Sequence, residues 1–358
     1  MTSTTRYFLL GAASFLALGL AGGLIAYYGV PGIDAFSSEP DELVYVPADA
    51  TVVAFADVRE IMASGVRQQL QQMFPAGADA EGRRRFEQET GINVETDIGH
   101  VVAYLVPAAE RDSQGDGVLL ARGRFDQARI EQLIEQHGGT AETYRGRRIL
   151  VRGFGSAAGS APNPESPIPS PGSPTPNPQS RTPNPAQLRD MALAFVQSGL
   201  VAVGTNAAVR RSIDLESGRE SNITTNDDFM SLVRDSDEGN VWVVGSFDRL
   251  TGFVQLPQNL IRNLPAITYF SVMGRIDSAV SGILKAQTRD AQAARDLSDV
   301  VRGFIALGKL QTGAWPELQT VLQSLQLQSD DKTVTLSFAL PAGALQALAQ
   351  RRPPRRAQ

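Results

Sequence analysis

The chain has 358 residues, 42% of them apolar and 20% charged, with a formal net charge of −5 and a pI near 5.3. That length leaves room for one large folded body or two modest ones. The mild acidity excludes the basic footprint of a nucleic-acid binder, so no nucleic-acid partner is expected, and the absence of cysteine excludes disulfides, a lipobox cysteine and thiolate metal sites.

The first element is an uncharged run of 24 residues, Tyr7 to Val30. At ~1.5 Å rise per residue, such a helix crosses a hydrocarbon core of ~30 Å with some tilt. A cleaved secretory signal has a shorter apolar core, of ~7–15 residues, and a small-residue cleavage site. Here the nearest candidate, Ala21-Gly22-Gly23, lies inside the run, so the segment reads as an uncleaved transmembrane anchor over 7–30. Residues 1–6 carry Arg6 and no acid, whereas Asp34, Glu39, Asp41 and Glu42 follow the run with no base before Arg59. Positive charge stays inside, which predicts a single pass through a bacterial inner (cytoplasmic) membrane, a cytoplasmic amino terminus, a linker over 31–44 and a periplasmic or extracellular body. Tyr7, Tyr27 and Tyr28 stand at the two ends as membrane-interface anchors. Small residues recur four apart at Ala13, Ala17 and Ala21 and at Gly19 and Gly23, a spacing that offers a helix–helix face for a weak homodimer.

The body opens with an apolar strand over 51–56 and a helix from Val58 to about Phe74, with Asp57 and Glu60 positioned to bond its first amides. A polar helix over 82–90 closes at Gly91. Val101–Val106 and Val118–Arg122 flank a turn-rich stretch and predict a hairpin. Asp126 caps the next helix, in which Ile130, Leu133, Ile134 and His137 form one apolar stripe before Gly138 and Gly139. A strand follows at 148–151.

Ten of the 21 prolines fall between Pro162 and Pro185, in a stretch almost without large apolar side chains. Proline removes the amide proton that a ladder needs, so 155–187 is expected to be an extended, disordered insert at a hairpin tip. Its Ser-Pro and Thr-Pro steps read as a passive spacer. Strand-like sequence resumes at 191–196 and 200–204. The second half restates the order: a strand at Val241–Phe247 followed by Asp248, a hairpin of 267–275 with 279–286, and a helix from Asp290 to about Leu310. Its apolar face carries Leu297, Val300, Val301, Phe304 and Leu307, and a last hairpin joins 325–329 to 333–340. The fold class predicted is α+β: two pseudo-repeated subdomains of mostly antiparallel sheet packed by helices, over 45–240 and 241–346, preceded by one transmembrane helix. One continuous sheet backed by helices satisfies the same pattern. Residues 347–358 form a basic tail with Arg351, Arg352, Arg355 and Arg356.

Chemistry-bearing motifs are absent. His100 and His137 are the only histidines and share no helical register, so no metal site is expected. The acidic turns beginning at Asp112 and Asp235 lack the closing glutamate of a calcium loop. There is no G-x-S-x-G elbow, and Gly153, Gly155 and Gly159 do not form a phosphate cradle, so neither catalytic nor cofactor-binding residues are assigned and no cofactor is implied. Asn222-Ile-Thr224 matches an N-glycan acceptor, a motif frequent by chance. Thirty of the 33 bases are arginine, spread evenly along the chain, which reflects composition rather than an anion site.

The stretch DVVRGFIALGKLQ, followed by PELQTVLQSLQLQSDDKTVTLSFALPAGAL, resembles the closing segment of uncharacterised bacterial envelope proteins, and ALAFVQSGLVAVGTNAAVRRSID resembles them too. These are single-pass or signal-bearing α+β proteins grouped as domains of unknown function. The resemblance implies an extracytoplasmic location and supplies no site residues. The expectation is a membrane-anchored binding or scaffolding module whose partners are the lipid bilayer and an unknown envelope protein or apolar ligand. A lipid or apolar-ligand carrier is the second reading and an envelope hydrolase the third.

Overall fold

An antiparallel sheet packs one apolar face on a core, and its other face is either solvated or covered by helices. The computed structural model describes residues 40–67, 78–93, 95–107, 116–152, 191–236, 238–250, 266–311 and 321–341. The predicted anchor with its interface tyrosines and small-residue face, the proline-rich insert and the basic tail lie outside these residues. No helix among the described residues is long and apolar enough to cross a membrane.

Twelve strands form one sheet: β1 (Val52–Ala56), β2 (Ile98–Val106), β3 (Asp116–Gly123), β4 (Thr140–Tyr144), β5 (Arg147–Arg152), β6 (Met191–Gln197), β7 (Leu200–Thr205), β8 (Val241–Ser246), β9 (Ile267–Ile276), β10 (Ala279–Thr288), β11 (Gln326–Asp330) and β12 (Thr333–Pro341). Their order is β11-β12-β10-β9-β8-β1-β2-β3-β7-β6-β5-β4, and each pairing is antiparallel. The protein is therefore α+β with a large antiparallel sheet. β1 pairs directly with β8, Val53 opposite Val244, so the sheet runs unbroken from the first half of the chain into the second. The proline-rich stretch leaves from Arg152 and returns at Met191, two residues that are register partners.

Around the sheet lie α1 (Val58–Ala63), α2 (Ala78–Thr90), α3 (Gln127–Gln136), α4 (Asn206–Glu216), α5 (Asp227–Arg234), α6 (Phe247–Leu250) and α7 (Ala291–Gln311), with 3-10 turns η1 (Asp41–Tyr45) and η2 (Ile223–Thr225). Local capping chemistry sets several boundaries. Asp57 accepts from the Glu60 amide at 2.7 Å and Asp126 from the Arg129 amide at 3.1 Å. Gly91 and Gly138 end α2 and α3 at positive φ, 73° and 83°.

Alternate residues along each strand define two faces. The front face presents Val53, Val102, Tyr104, Leu120, Ala194, Trp242 and Val244, which form the main core with Ala208, Val209 and Ile213 of α4, Phe229, Met230 and Val233 of α5, and Leu43 and Tyr45 of η1. The back face carries α1, whose Val58, Ile61 and Met62 pack on Ala56, Val101 and Ala121. Farther along it, Ala294 and Leu297 of α7 pack on Ile267 and Val334.

Several sequence expectations are corrected. The segment read as a linker over 31–44 contains folded residues, because Leu43 and the Glu42 side chain are core. The helix expected from Val58 to about Phe74 is interrupted: α1 stops at Ala63, where Ser64 turns to extended backbone, helix resumes over 65–67, and 68–74 lie outside the described residues. His137 is not part of a buried stripe; it caps α3 in an exposed position with Nδ1 2.8 Å from the Leu133 carbonyl. On α7 the buried stripe ends near Val301, while Phe304 and Leu307 are exposed. Phe125, just before the Asp126 cap, packs against the α1 cluster.

Candidate interaction face and a buried ion cluster

A row of register partners crosses the back face of the sheet: Leu193, Val203, Leu119, Ala103, Ala54, Val243, Val272, Leu284 and Leu336. All are apolar. Where α1 or α7 sits over the back face, neighbouring residues are buried, but none of the residues in this row is fully buried. Leu119 is 39% exposed, Leu105 in the adjacent row 40%, and Met191 two strands away 38%. Their neighbours on the other side of the same strands, Leu120, Tyr104 and Ala192, are 2% exposed or less. Leu105 lies over the backbone of Gly117, its Cδ2 close to where a β-carbon there would stand, which flattens the patch. A contiguous apolar patch of this kind marks an interaction surface.

The front face holds a different feature. A cleft of about 320 Å³ lies over β9, β10, β12 and β11, lined by Glu238, Arg275, Ser281, Gln326 and Ser337 together with Met273 and Ile283. Arg275 Nη2 donates to the Glu238 carbonyl at its rim. The lining is mixed, since Phe338 and Ala339 join Met273 and Ile283 beside the polar side chains.

The third feature is a buried carboxylate. Glu42, on η1, is 1% exposed. Its Oε2 is 2.9 Å from His100 Nε2 on β2, and its Oε1 accepts from Arg122 Nε on β3 at 2.6 Å. His100 and Arg122 are register partners, so the two strands present them side by side to one carboxylate. Burial pushes the Glu42 carboxyl up, but the His100 and Arg122 bonds and charge outweigh it and hold the carboxyl at about 2, against an ordinary 4.5. Next to it, Tyr45 donates to Glu216 Oε1 at 3.0 Å while Arg147 pairs with Glu216 Oε2 at 2.5 Å. Burial, reinforced by Glu216, raises the Tyr45 hydroxyl. These groups fasten η1 to the front face. The Glu42 carboxylate and Tyr45 are sealed from solvent, each 1% exposed.

The remaining candidates resolve into structural roles. Asp235 pairs with Lys285 at 3.0 Å, and Asp116 accepts from Thr205 Oγ1 at 3.0 Å. Asn222 caps η2, its Oδ1 accepting from the Thr224 amide and hydroxyl, and Ile223 inside the glycan motif is fully buried. Among the described residues no group of three or more histidine, aspartate or glutamate side chains stands close enough to hold a metal ion. Sequence reasoning missed the Glu42 cluster and the exposed leucine row. The row had a signal in the alternation of its strands, and the cluster had none.

No family model matches the chain, and no curated protein matches it. Among solved structures the chain is similar to the one described as "Structure of crystal form I of TP0453", with 11% identity and a TM-score of 0.40 over 87% of this chain and 98% of that one.

Proposed function

We propose that the protein is a membrane-anchored extracytoplasmic binding or scaffolding module, and that it engages another component of a bacterial envelope through the uncovered back face of its sheet. The observation that carries this reading is the exposed Leu105–Leu119–Met191 patch on strands whose opposite side is fully packed. Leaving three large apolar side chains two-fifths exposed costs roughly half of the ~1.5–3 kcal/mol that burying each one supplies, a cost that a docked partner recovers. The anchor over 7–30 and the resemblance to envelope proteins support the location. Among the described residues the front cleft brings together only Glu238 and Arg275 as titratable groups, which favours this reading over a hydrolase.

The architecture is read as an internal duplication. The order β1-β2-β3-β7-β6 in the first half matches β8-β9-β10-β12-β11 in the second, with β4 and β5 added at one edge and β1 and β8 joining the halves. Two such units, each exposing one sheet edge to its twin, make a scaffold broad enough to hold an extended partner.

The test is site-specific photocrosslinking in envelopes. A benzophenone maleimide on Leu119→Cys in this cysteine-free chain is expected to give a discrete adduct, lost in the additional presence of Leu105→Asp. The same probe on Ser217→Cys, at the end of α4, is expected to give none. Equal adducts from both positions, or none from Leu119→Cys, would overturn the assignment of the back face.

A further inference from the structure

The segment that joins residues 1–39 to the sheet is packed yet belongs to no ladder. From Pro40 to Val46 it runs as a 3-10 turn buried against the front face, with Leu43, Tyr45 and Val46 at most 1% exposed. Two described backbone bonds tie this neighbourhood to the rest of the molecule, and both lie at its carboxyl end: the Ile223 amide to the Val46 carbonyl at 2.7 Å and the Ala48 amide to the Ser221 carbonyl at 3.1 Å. The backbone bonds of Leu43 and Val46 stay within the segment. Residues 40–45 are thus held by side chains: Glu42 by His100 and Arg122, and Tyr45 by Glu216. Without ladder bonds, what holds the segment is these polar bonds together with the packing of Leu43, Tyr45 and Val46 in the main core, whereas the central strands are also held by backbone bonds on both sides.

Removing Glu42 from His100 and Arg122 leaves three polar groups to be resolvated together, which water supplies only once the segment has lifted away. The bond pattern therefore describes a fastening that is either closed, with the carboxylate sealed, or open, with the carboxylate wet.

We propose that Pro40–Val46 is a releasable strap, bolted by Glu42 to His100 and Arg122, which opens without unfolding the sheet and lengthens the link between residues 1–39 and the body. Seven residues freed at ~3.3–3.6 Å each add roughly 20 Å of reach. This goes beyond the binding role and does not depend on it.

Thiol labelling of single-cysteine variants of the full chain tests it. Val46→Cys reports the strap and Ala194→Cys, on β6 in the main core, reports the whole fold. The Val46→Cys thiol is expected to label at least ten-fold faster than Ala194→Cys, with a weaker dependence on urea, because strap opening exposes less surface than unfolding of the whole sheet. Adding Glu42→Gln is expected to raise the Val46→Cys rate by on the order of a hundred-fold, corresponding to about two pK units of lost stabilisation. If both thiols label at one rate with one urea dependence, the strap opens only with the sheet and the proposal fails. If Glu42→Gln leaves the Val46→Cys rate unchanged, Glu42 is not the bolt. Should Glu42→Gln fail to fold, the comparison of the two thiols in the otherwise native chain still decides between strap and global opening.

Discussion

Replacing Glu42 with glutamine keeps the side-chain shape but removes its charge and its ability to titrate. The carboxyl is held at about 2 instead of 4.5, a difference of 2.5 pK units, and at 1.36 kcal/mol per unit it contributes about 3 kcal/mol to folding at neutral pH. Breaking a buried ion pair by neutralising one partner costs ~3–5 kcal/mol, which is the same order. Because the folded-state value is depressed, the stabilisation is fully present above about pH 4.5 and drains away as pH falls toward 2. Urea unfolding followed by the fluorescence of buried Trp242, in a Trp315→Phe background, measures it at pH 7, 5, 3.5 and 2.5. The native chain is expected to lose about 3 kcal/mol more than Glu42→Gln across that range, so that two curves well separated at pH 7 converge near pH 2.5. Parallel curves over the whole range would refute the reasoning, since they would mean that Glu42 takes up no proton linked to folding.

Three further outcomes follow from packing. Trp242 Nε1 is buried with no hydrogen-bond partner among the described residues, so Trp242→Phe trades a smaller ring for relief of an unpaired donor; the two terms, each ~1–3 kcal/mol, offset, and a measured loss above 3 kcal/mol would show that the indole is bonded after all. A β-carbon at Gly204 would stand 2.3 Å from the Gly117 carbonyl oxygen, so Gly204→Ala is expected to cost ~2–3 kcal/mol by forcing β3 and β7 apart, and an unchanged thermal midpoint would contradict the β3–β7 register. Leu105→Ser and Leu119→Ser, at positions two-fifths exposed, are expected to cost ~1–2 kcal/mol each in purified protein, whereas Leu120→Ala on the buried side of β3 costs ~2–5 kcal/mol; equal losses at all three would show that the back face is already covered.

Much of the sheet was legible because strand sequences alternate and their turns are short. β8, β9, β10 and β12 lie within a residue or two of their expected bounds, and Asp57 and Asp126 cap the helices they were expected to cap. β4 escaped because TAETY is an edge strand with polar groups on both faces, which leaves no alternation to read. α4 and α5 carried usable signals in Thr205 and Asn226, each of which caps its helix by accepting from the amide three residues on. The junction of β1 with β8 and the partners of Glu42 were out of reach for a different reason. Glu42 sits among Asp34, Glu39 and Asp41 and reads as one more solvated acid, while its partners lie 58 and 80 residues along the chain. Nothing local distinguishes a carboxylate that will be buried from one that will not; the strand pairing decides it. The exposed leucines show the reverse: Leu119 and Leu120 look alike in sequence, and only the placement of helices over one face separates them.

The binding role rests on the back face being covered in the envelope and open in the isolated protein. Maleimide labelling of Leu119→Cys measures this directly, with Ser217→Cys on the opposite side of the sheet as the reference. A ratio of Leu119→Cys to Ser217→Cys labelling at least ten-fold lower in intact envelopes than in purified protein is the predicted result. The same ratio in both settings would contradict it.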